Sequence, residues 1–347
     1  MKHRFFPITL FTLIFIFLSS PTFSQRKINY TFVDISKADI KWWNNLEESW
    51  QFIFNRKVGF GTEITQAKLD QLFLITEIAI IGKNITHIKP ISRFKNLEIF
   101  YCSGNLISDL SPLSKLTKLK KIEAGKNQIK SLKPLKKLKN LDYLAITDNK
   151  ISSLSPLSKN EKLKTLLAQD NQLKSLKGLE NKLQLERVTL QNNKLTSLEP
   201  LKNCKKINNL HLDGNPISDI STLKDFINLN QLYLARTKVK SITALGNLVN
   251  LEILSILNSP TKSLQGIEKM SKLRDLYFQE TQVQDLEPLR NLASLQKVVF
   301  HKTAISSLEP LEKMENLYLL FSDTKISEEE IKAFKTAHPK STLLTEF

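Results

Sequence analysis

The stretch LDYLAITDNKISSLSPL, residues 141–157, contains the pattern that decides the fold. Leu144 and Ile146 alternate with their neighbours, as in a short strand that buries one face. A polar turn around Asn149 follows, after which apolar residues recur every third position up to Leu157. A helix would repeat at intervals of three and four residues throughout, and a half-buried strand would alternate throughout. The stretch therefore predicts one strand, one turn and one short return segment.

The same unit repeats every 22 residues, and eleven complete rows align between residues 75 and 316. Positions 1, 4, 6, 11, 14 and 17 of the row are almost always apolar. One row has no core of its own, so each row must bury its apolar positions against its neighbours. The repeat predicts a solenoid with one short parallel strand per row, and a shorter terminal row at Leu317 brings the expected number of strands to twelve.

Position 9 of the row holds asparagine in six successive rows. A buried asparagine needs hydrogen-bond partners, and a column of them can bond the turn backbone of its own and adjacent rows. Thr or Ser occupies position 9 in the next four rows and bonds more weakly, so we expect a looser turn there. Position 16 is proline in seven of the eleven rows, which predicts an extended or 3-10 return segment rather than a long helix. The asparagines of this structural ladder are Asn105, Asn127, Asn149, Asn171, Asn193 and Asn215.

These motifs resemble the leucine-rich repeat, LxxLxLxxNxI followed by xxLxxL, and the 22-residue version with Ser-Pro-Leu or Lys-Pro-Leu returns is similar to that of bacterial internalins. The resemblance covers residues 75–326, as eleven full repeats and a partial one. It implies an α/β repeat solenoid, a curved leucine-rich repeat domain with a parallel concave sheet and a convex side of 3-10 or extended segments. It also implies a protein partner, because internalins use concave aromatic residues against host proteins. The N-terminal region around WWNNLEESWQFIF departs from the internalin cap, so host invasion is not carried over.

Residues 1–24 have the layout of a secretory signal peptide. Lys2 and Arg4 precede an apolar run of about 14 residues, and small residues at Thr22 and Ser24 stand before the expected cleavage site. An uncleaved membrane anchor is the alternative, but the run is shorter than the roughly 20 residues that a spanning helix needs. We therefore expect export to an extracellular, periplasmic or cell-surface location, with no evident anchor and no transmembrane segment after signal removal.

Caps are expected at both ends of the repeats, because the terminal rows of a solenoid would otherwise expose their core. In residues 25–74, apolar residues recur at helical spacing between residues 36 and 58, and all three tryptophans lie in this stretch. A second helix is expected from Thr62 or Thr65. We interpret the tryptophans as an aromatic lid on the stack.

The C-terminal cap is expected in residues 327–347. Ser327 and Glu330 have the spacing of a capping box, and a short helix should follow to about Ala337. The final segment STLLTEF is typical of a strand and is expected to cover the edge of the sheet.

The two cysteines, Cys102 and Cys204, lie four rows apart. Neighbouring strands are about 4.8 Å apart, which separates the two residues by about 19 Å, whereas a disulfide needs Cα atoms within roughly 7 Å. We therefore predict two free, buried thiols.

No sequence motif of an enzyme or a cofactor site is present. Neither a Gly-rich phosphate loop nor an HExxH, GxSxG or CxxC motif occurs, and the histidines form no cluster with metal-ligand spacing. His211 and Asp213 lie two residues apart on one strand without a nucleophile. The sequence predicts a non-catalytic protein that uses no cofactor.

The strand positions that face away from the core are the first candidate binding surface. Four of the six tyrosines fall at positions 3 and 5 of the rows. Tyr simply favours strands, but it also dominates binding hot spots together with Arg. We favour a concave face that binds a protein partner and expect a monomer. The candidate partner-binding residues are Tyr101, Tyr143, Arg187, His211, Asp213, Tyr233, Arg236, Tyr277 and His301.

The third row is the rival candidate. It contains eight lysines and one acidic residue, within a chain of formal net charge +17. Such a patch can hold an anionic polysaccharide, lipopolysaccharide, a lipid surface or nucleic acid through salt-sensitive contacts, although a solvated face of a basic protein is the alternative. Lysine without arginine or interleaved aromatic residues argues against sequence-specific nucleic-acid binding. A purely structural scaffold is the third hypothesis. The patch consists of Lys130, Lys133, Lys136, Lys137 and Lys139.

Overall fold

The computed structural model of the protein describes residues 30–345, and the signal peptide predicted for residues 1–24 lies outside them. The described α-helices are α1 (Lys37–Asn44), α2 (Glu48–Val58), α3 (Gln66–Phe73) and α4 (Glu328–Ala337). The strands before the repeats are β1 (Thr31–Val33) and β2 (Glu63–Thr65). The remaining strands are β3 (Glu77–Ala79), β4 (Ile99–Tyr101), β5 (Lys121–Glu123), β6 (Tyr143–Ala145), β7 (Thr165–Leu167), β8 (Arg187–Thr189), β9 (Asn209–His211), β10 (Gln231–Tyr233), β11 (Ile253–Ser255), β12 (Asp275–Tyr277), β13 (Lys297–Val299), β14 (Tyr318–Leu320) and β15 (Thr342–Leu344).

Strands β3 to β15 form one parallel sheet in chain order. The twelve strands expected from the rows are β3 to β14, and the predicted edge strand is β15, so the solenoid prediction is confirmed. Within the repeats each residue pairs with the one 22 positions later, as Leu144 does with Leu166. The pairing of β13 with β14 joins Val298 to Leu319 instead, because the terminal row has one residue fewer before its buried strand position.

The return segments contain nine 3-10 helices among the described residues, as the prolines of position 16 predict. They span Lys89–Arg93, Ser111–Leu113, Lys133–Lys137, Ser155–Lys159, Glu199–Leu201, Ser221–Asp225, Thr243–Leu245, Glu287–Leu289 and Glu309–Leu311. Gly178 and Gly266 occupy position 16 in two rows without such a helix, and both have φ of +104°. A Cβ atom on Gly178 would lie 2.2 Å from the carbonyl oxygen of Leu154 in the preceding row. Only glycine therefore fits this close approach between rows.

The core runs the length of the solenoid, and its polar component is the asparagine ladder. Nδ2 of the buried Asn149 donates to the carbonyl oxygens of Ile146 and Thr147 at 3.1 Å each, and to that of Ala124 in the preceding row at 3.0 Å. Its Oδ1 accepts the N–H of Ile129, also in the preceding row, at 2.9 Å. Each ladder amide thus satisfies buried backbone groups of two rows.

The rows without asparagine are joined differently. Among residues 30–345, the hydroxyls of Thr237, Thr281 and Thr303 bond only the carbonyl oxygen three residues earlier in their own row, at 2.7, 2.7 and 3.0 Å. These three rows therefore lack a side-chain bridge to the preceding row from position 9. In the row of Ser259, the hydroxyl of Thr261 lies 2.8 Å from that of Ser259 and donates to the carbonyl oxygen of Val239 in the preceding row at 3.0 Å. The looser turn expected in the last four rows stays a prediction.

The N-terminal cap differs from the single helical pattern expected over residues 36–58. Two helices form, α1 and α2, because Glu47 has an extended backbone with ψ of 150° and starts the second helix as its N-cap. Thr65 caps α3, and its hydroxyl accepts the N–H of Lys68 at 3.3 Å. Trp43 and Trp50 are fully buried, as expected of an aromatic lid. The parallel pairing of β1 with β2 has no signal in the sequence pattern.

The C-terminal cap contains the predicted helix, which ends at Ala337, but not the predicted capping box. Ser327 accepts the N–H of Glu330 at 3.2 Å, whereas the Glu330 carboxylate accepts the N–H of Leu308 at 2.6 Å and the hydroxyl of Ser307 at 2.8 Å. Glu330 therefore ties the cap to the last complete row instead of reaching back to its own N-cap residue.

Both cysteines are free and buried, as predicted. Burial raises the pKa of the Cys102 thiol far above its usual range, and burial likewise raises the pKa of the Cys204 thiol. Within residues 30–345 the longest helix, α2, has 11 residues, and no helix of this part has the length and apolar character to cross a membrane.

Candidate protein-binding surface

The concave face consists of the side chains at positions 3 and 5 of strands β3 to β14. Position 4 points to the opposite side and is buried throughout, as at Leu144 with no exposed surface. Five of the six tyrosines of the chain lie on the concave face, and all five are partly exposed. They are Tyr101, Tyr143, Tyr233, Tyr277 and Tyr318.

The first cluster of this face is centred on Lys121. Its ammonium nitrogen lies 5.1 Å from the ring centroid of Tyr101 and 4.6 Å from that of Tyr143, within the range of cation–π attraction. The Glu123 carboxylate is 2.9 Å from the same nitrogen. This hydrogen bond is the main reason that the pKa of Lys121 is raised, while burial raises the pKa of Tyr143. We call these four residues the N-terminal lysine cage.

The second cluster is a stack of two rings in the middle of the sheet. His211 and Tyr233 have ring centroids 4.1 Å apart and an angle of 21° between their planes. Burial lowers the pKa of His211 to about 4, with a smaller contribution from the charge of Arg187. The imidazole is therefore neutral at pH 7 and contributes an aromatic surface rather than a charge. Arg187 itself is exposed.

The structure does not bring His211 and Asp213 together into a catalytic pair. Asp213 accepts the backbone N–H of Ala235 in the next row at 2.9 Å, and burial raises the pKa of its carboxyl group. Arg236 is exposed at the rim, in a turn residue with φ of +53°. His301 is partly exposed, and burial lowers its pKa. Among residues 30–345, no group of three or more His, Cys, Asp or Glu side chains could hold a metal ion.

The third cluster lies near the C-terminal end of the sheet. The ammonium nitrogen of Lys297 is 5.4 Å from the ring centroid of Tyr277 and 5.2 Å from that of Tyr318. Burial, and secondarily the charge of Asp275, raises the pKa of Tyr277 to about 12. We call Tyr277, Lys297 and Tyr318 the C-terminal lysine cage.

Sequence reasoning missed four residues of these clusters, which are Lys121, Glu123, Lys297 and Tyr318. Lys121 and Lys297 stand at position 3, and the spacing within a row does not show that each lies between two tyrosine rings of neighbouring strands. Tyr318 was missed because the terminal row is one residue short, so that counting by 22 places Leu319 instead of Tyr318 at position 3. The buried Leu319 and Phe321 show the true register.

The lysine patch of the third row lies on the convex side, away from the concave face. All five of its lysines are exposed, and in the part of the chain that the structure describes none of them is within 4.0 Å of a carboxylate. An open depression of about 580 Å³ is lined by Lys136, Lys137, Lys139, Lys159, Thr117 and Asn140. The two candidate surfaces are therefore physically separate.

The family model for Leucine Rich repeats (2 copies) matches residues 95–137, 117–159 and 183–225. No curated protein sequence matches the chain. The fold, the repeat and this match define the class of the protein as a leucine-rich repeat solenoid.

Solved structures give the more particular likeness. An internalin, InlF from Listeria monocytogenes, is 25% identical, with a TM-score of 0.80 over 86% of this chain and 90% of that one. The functional domain of InlJ from Listeria monocytogenes is 20% identical, with a TM-score of 0.65 over 83% and 71% of the two chains. A leucine-rich repeat protein of Leptospira interrogans is 18% identical, with a TM-score of 0.64 over 81% and 86%. The chain is thus a leucine-rich repeat solenoid that is similar in structure to bacterial internalins.

Proposed function

We propose that this protein is an exported or cell-surface binding protein that holds a protein partner against the concave face without catalysing a reaction. The observation that supports this proposal is the set of three aromatic clusters on the sheet. Within each cluster, the side chains come from consecutive, hydrogen-bonded strands. Tyrosine offers a large apolar surface and a hydroxyl group at a small cost in side-chain entropy, which is why it is enriched at binding hot spots.

The rigidity of the face adds to the argument. Each cluster residue lies on a strand paired on both sides, and the tyrosines of the two lysine cages are further held by cation–π contacts. Rings that are already ordered lose little freedom on association. The twelve repeat strands at about 4.8 Å per strand give a sheet about 53 Å long, which provides room for a standard protein–protein interface.

The test compares three purified proteins as baits for partners from extracellular and envelope material. They are the wild type, a variant with Tyr101, Tyr143, Tyr233 and Tyr277 changed to Ser, and a control variant with the five lysines of the convex patch changed to Gln. Circular dichroism first establishes that all three are folded. The proposal predicts a partner that resists high salt and is lost only by the tyrosine variant. A salt-resistant partner kept by the tyrosine variant overturns the proposal.

A second candidate function is electrostatic binding of an anionic glycan or lipopolysaccharide at the convex patch. The supporting observation is the open depression whose lysines have no carboxylate partner among the described residues. Affinity should then fall steeply with salt. Retention of the wild type on immobilised heparin, lost in the five-lysine variant and kept in the tyrosine variant, supports this alternative. Equal retention of the wild type and the five-lysine variant contradicts it.

A further inference from the structure

The two lysine cages are the same arrangement, placed eight rows apart. In each, a tyrosine at position 5 is followed by a lysine at position 3 of the next strand and by a tyrosine at position 3 of the strand after that. The four distances from ammonium nitrogen to ring centroid lie between 4.6 and 5.4 Å. The chain therefore contains two copies of one structural device, which can be compared directly.

The cages differ at two positions beside the lysine: position 3 of the preceding strand, where Ile99 pairs with Lys121 and Asp275 pairs with Lys297, and position 5 of the lysine's own strand. In the N-terminal cage the position 5 residue is Glu123, whose carboxylate is 2.9 Å from the Lys121 nitrogen. In the C-terminal cage it is Val299, which is buried and apolar. Within residues 30–345 no carboxylate oxygen lies within 4.0 Å of the Lys297 nitrogen, although Asp275 pairs with Lys297 in the strand register. Among the described residues, the ammonium nitrogen of Lys121 therefore contacts a carboxylate, whereas that of Lys297 does not.

The ligand chemistry of the C-terminal lysine cage can be inferred from the contacts of the N-terminal lysine cage. An ammonium group has three N–H donors, and the two rings attract its charge without accepting strong hydrogen bonds. A carboxylate supplies a charge-assisted hydrogen bond that neither ring can give. Because the rings already hold Lys297 in place, a carboxylate from outside would meet an ordered donor rather than a free side chain.

A second cation in the position 3 column indicates how a bound segment of the partner would run across the strands. Arg187 is exposed at position 3 of β8, and among the described residues it has no ion-pair partner. Five strand spacings separate it from Lys297, which is about 24 Å. An extended segment rises about 3.4 Å per residue, so carboxylates about seven residues apart would reach both cations.

We propose that the C-terminal lysine cage is the docking point for a glutamate or aspartate side chain in an extended acidic segment of the protein partner. This inference rests on the proposed function of the concave face. Lys297 receives the carboxylate, Tyr277 and Tyr318 hold the ammonium group from two sides, and Arg187 receives a second carboxylate about seven residues away in the segment. The N-terminal cage does not take part, because Glu123 occupies it.

The experiment measures the anisotropy of a fluorescent ten-residue oligoglutamate peptide, with the matching oligoglutamine peptide as the neutral control. All proteins carry the five Lys→Gln changes of the convex patch, which removes its competing charge. Lys297→Met should weaken oligoglutamate binding about fivefold. Lys121→Met removes the same charge from a cage in which Glu123 already contacts the lysine, and it should weaken binding much less than Lys297→Met does. Circular dichroism establishes that each variant is folded.

Two further variants exchange the position 5 residues, Glu123 and Val299, between the two cages. Glu123→Val should open the N-terminal cage and strengthen oligoglutamate binding about twofold by adding a second site. Val299→Glu should fill the C-terminal cage and weaken binding as Lys297→Met does. Equal effects of Lys297→Met and Lys121→Met, or no effect of either, overturn the inference. Binding of polygalacturonate that is tighter and equally dependent on Lys297 overturns the assignment to a protein segment.

The outcomes also separate this inference from the proposed function. If the four-tyrosine variant loses the salt-resistant partner while Lys297→Met keeps oligoglutamate binding at the wild-type level, only the inference about the cage fails. If the four-tyrosine variant keeps that partner, the proposed function fails as well.

Discussion

Replacement of Asn149 by alanine tests whether the asparagine ladder joins neighbouring rows. The amide is 8% exposed, accepts the N–H of Ile129 at 2.9 Å and donates to three carbonyl oxygens within 3.1 Å. In the Asn149→Ala variant the buried N–H of Ile129 loses its partner, which costs about 1–3 kcal/mol. The lost bonds to the carbonyl oxygens add about 1 kcal/mol. We expect the free energy of unfolding to fall by about 3 kcal/mol.

The matched control is Thr281→Ala, at the same position of a later row. Thr281 makes one side-chain hydrogen bond, to the carbonyl oxygen of Phe278 at 2.7 Å. Its removal should cost about 1 kcal/mol. The difference between the two variants therefore measures the bridge between rows, because both truncate position 9 inside the same kind of turn.

Two measurements follow the effect. Urea unfolding monitored by far-UV circular dichroism gives the overall loss, and amide hydrogen exchange of Ile129 gives the local one, since a solenoid does not have to unfold as one unit. Exchange of the Ile129 amide should become about 100-fold faster in Asn149→Ala. Equal destabilisation by Asn149→Ala and Thr281→Ala, with unchanged exchange at Ile129, would refute the bridging role.

Three other predictions concern backbone, charge and thiol chemistry. Gly178→Ala places a Cβ atom 2.2 Å from a carbonyl oxygen at φ of +104°, and in thermal melts it should lower the free energy of unfolding by about 3 kcal/mol. Gly246 has an αR conformation, and a Cβ atom there would have its nearest contact at 3.4 Å. Gly246→Ala should therefore be nearly neutral in the same measurement. His211 should titrate near pH 4 in NMR spectra. Because its pKa is lower in the folded state than in the unfolded state, the unfolded chain binds more protons below about pH 6.5. The free energy of unfolding should therefore fall by about 1–2 kcal/mol as the pH drops from 6.5 to 4, and this effect should be absent from His211→Phe. Cys102 and Cys204, both buried, should react with a thiol reagent only after denaturation, and rapid reaction of either in the native protein would contradict the burial argument.

The periodic part of this protein could be predicted from the sequence with few errors. Every row repeats one geometry, so the apolar column that includes Leu144 had to be buried and the proline column had to lie on the return side. The parallel sheet, the buried cysteines and the covering strand β15 follow from the same register. The candidate surface was predictable only as a set of columns, in which the residue types indicated Tyr101 and Tyr277 as binding residues but neither Lys121 nor Lys297.

The sequence by itself therefore determined the repeat, the core and the face on which the tyrosines lie, because these depend on spacing within one row and on the burial of apolar side chains. Only the tertiary structure decided the contacts between rows. It placed Lys297 between two rings from neighbouring strands, left it without the carboxylate that Lys121 has, and shifted Tyr318 into register. Such contacts join residues about one row apart in the chain and depend on side-chain direction and on a one-residue change of register, and local periodicity encodes neither.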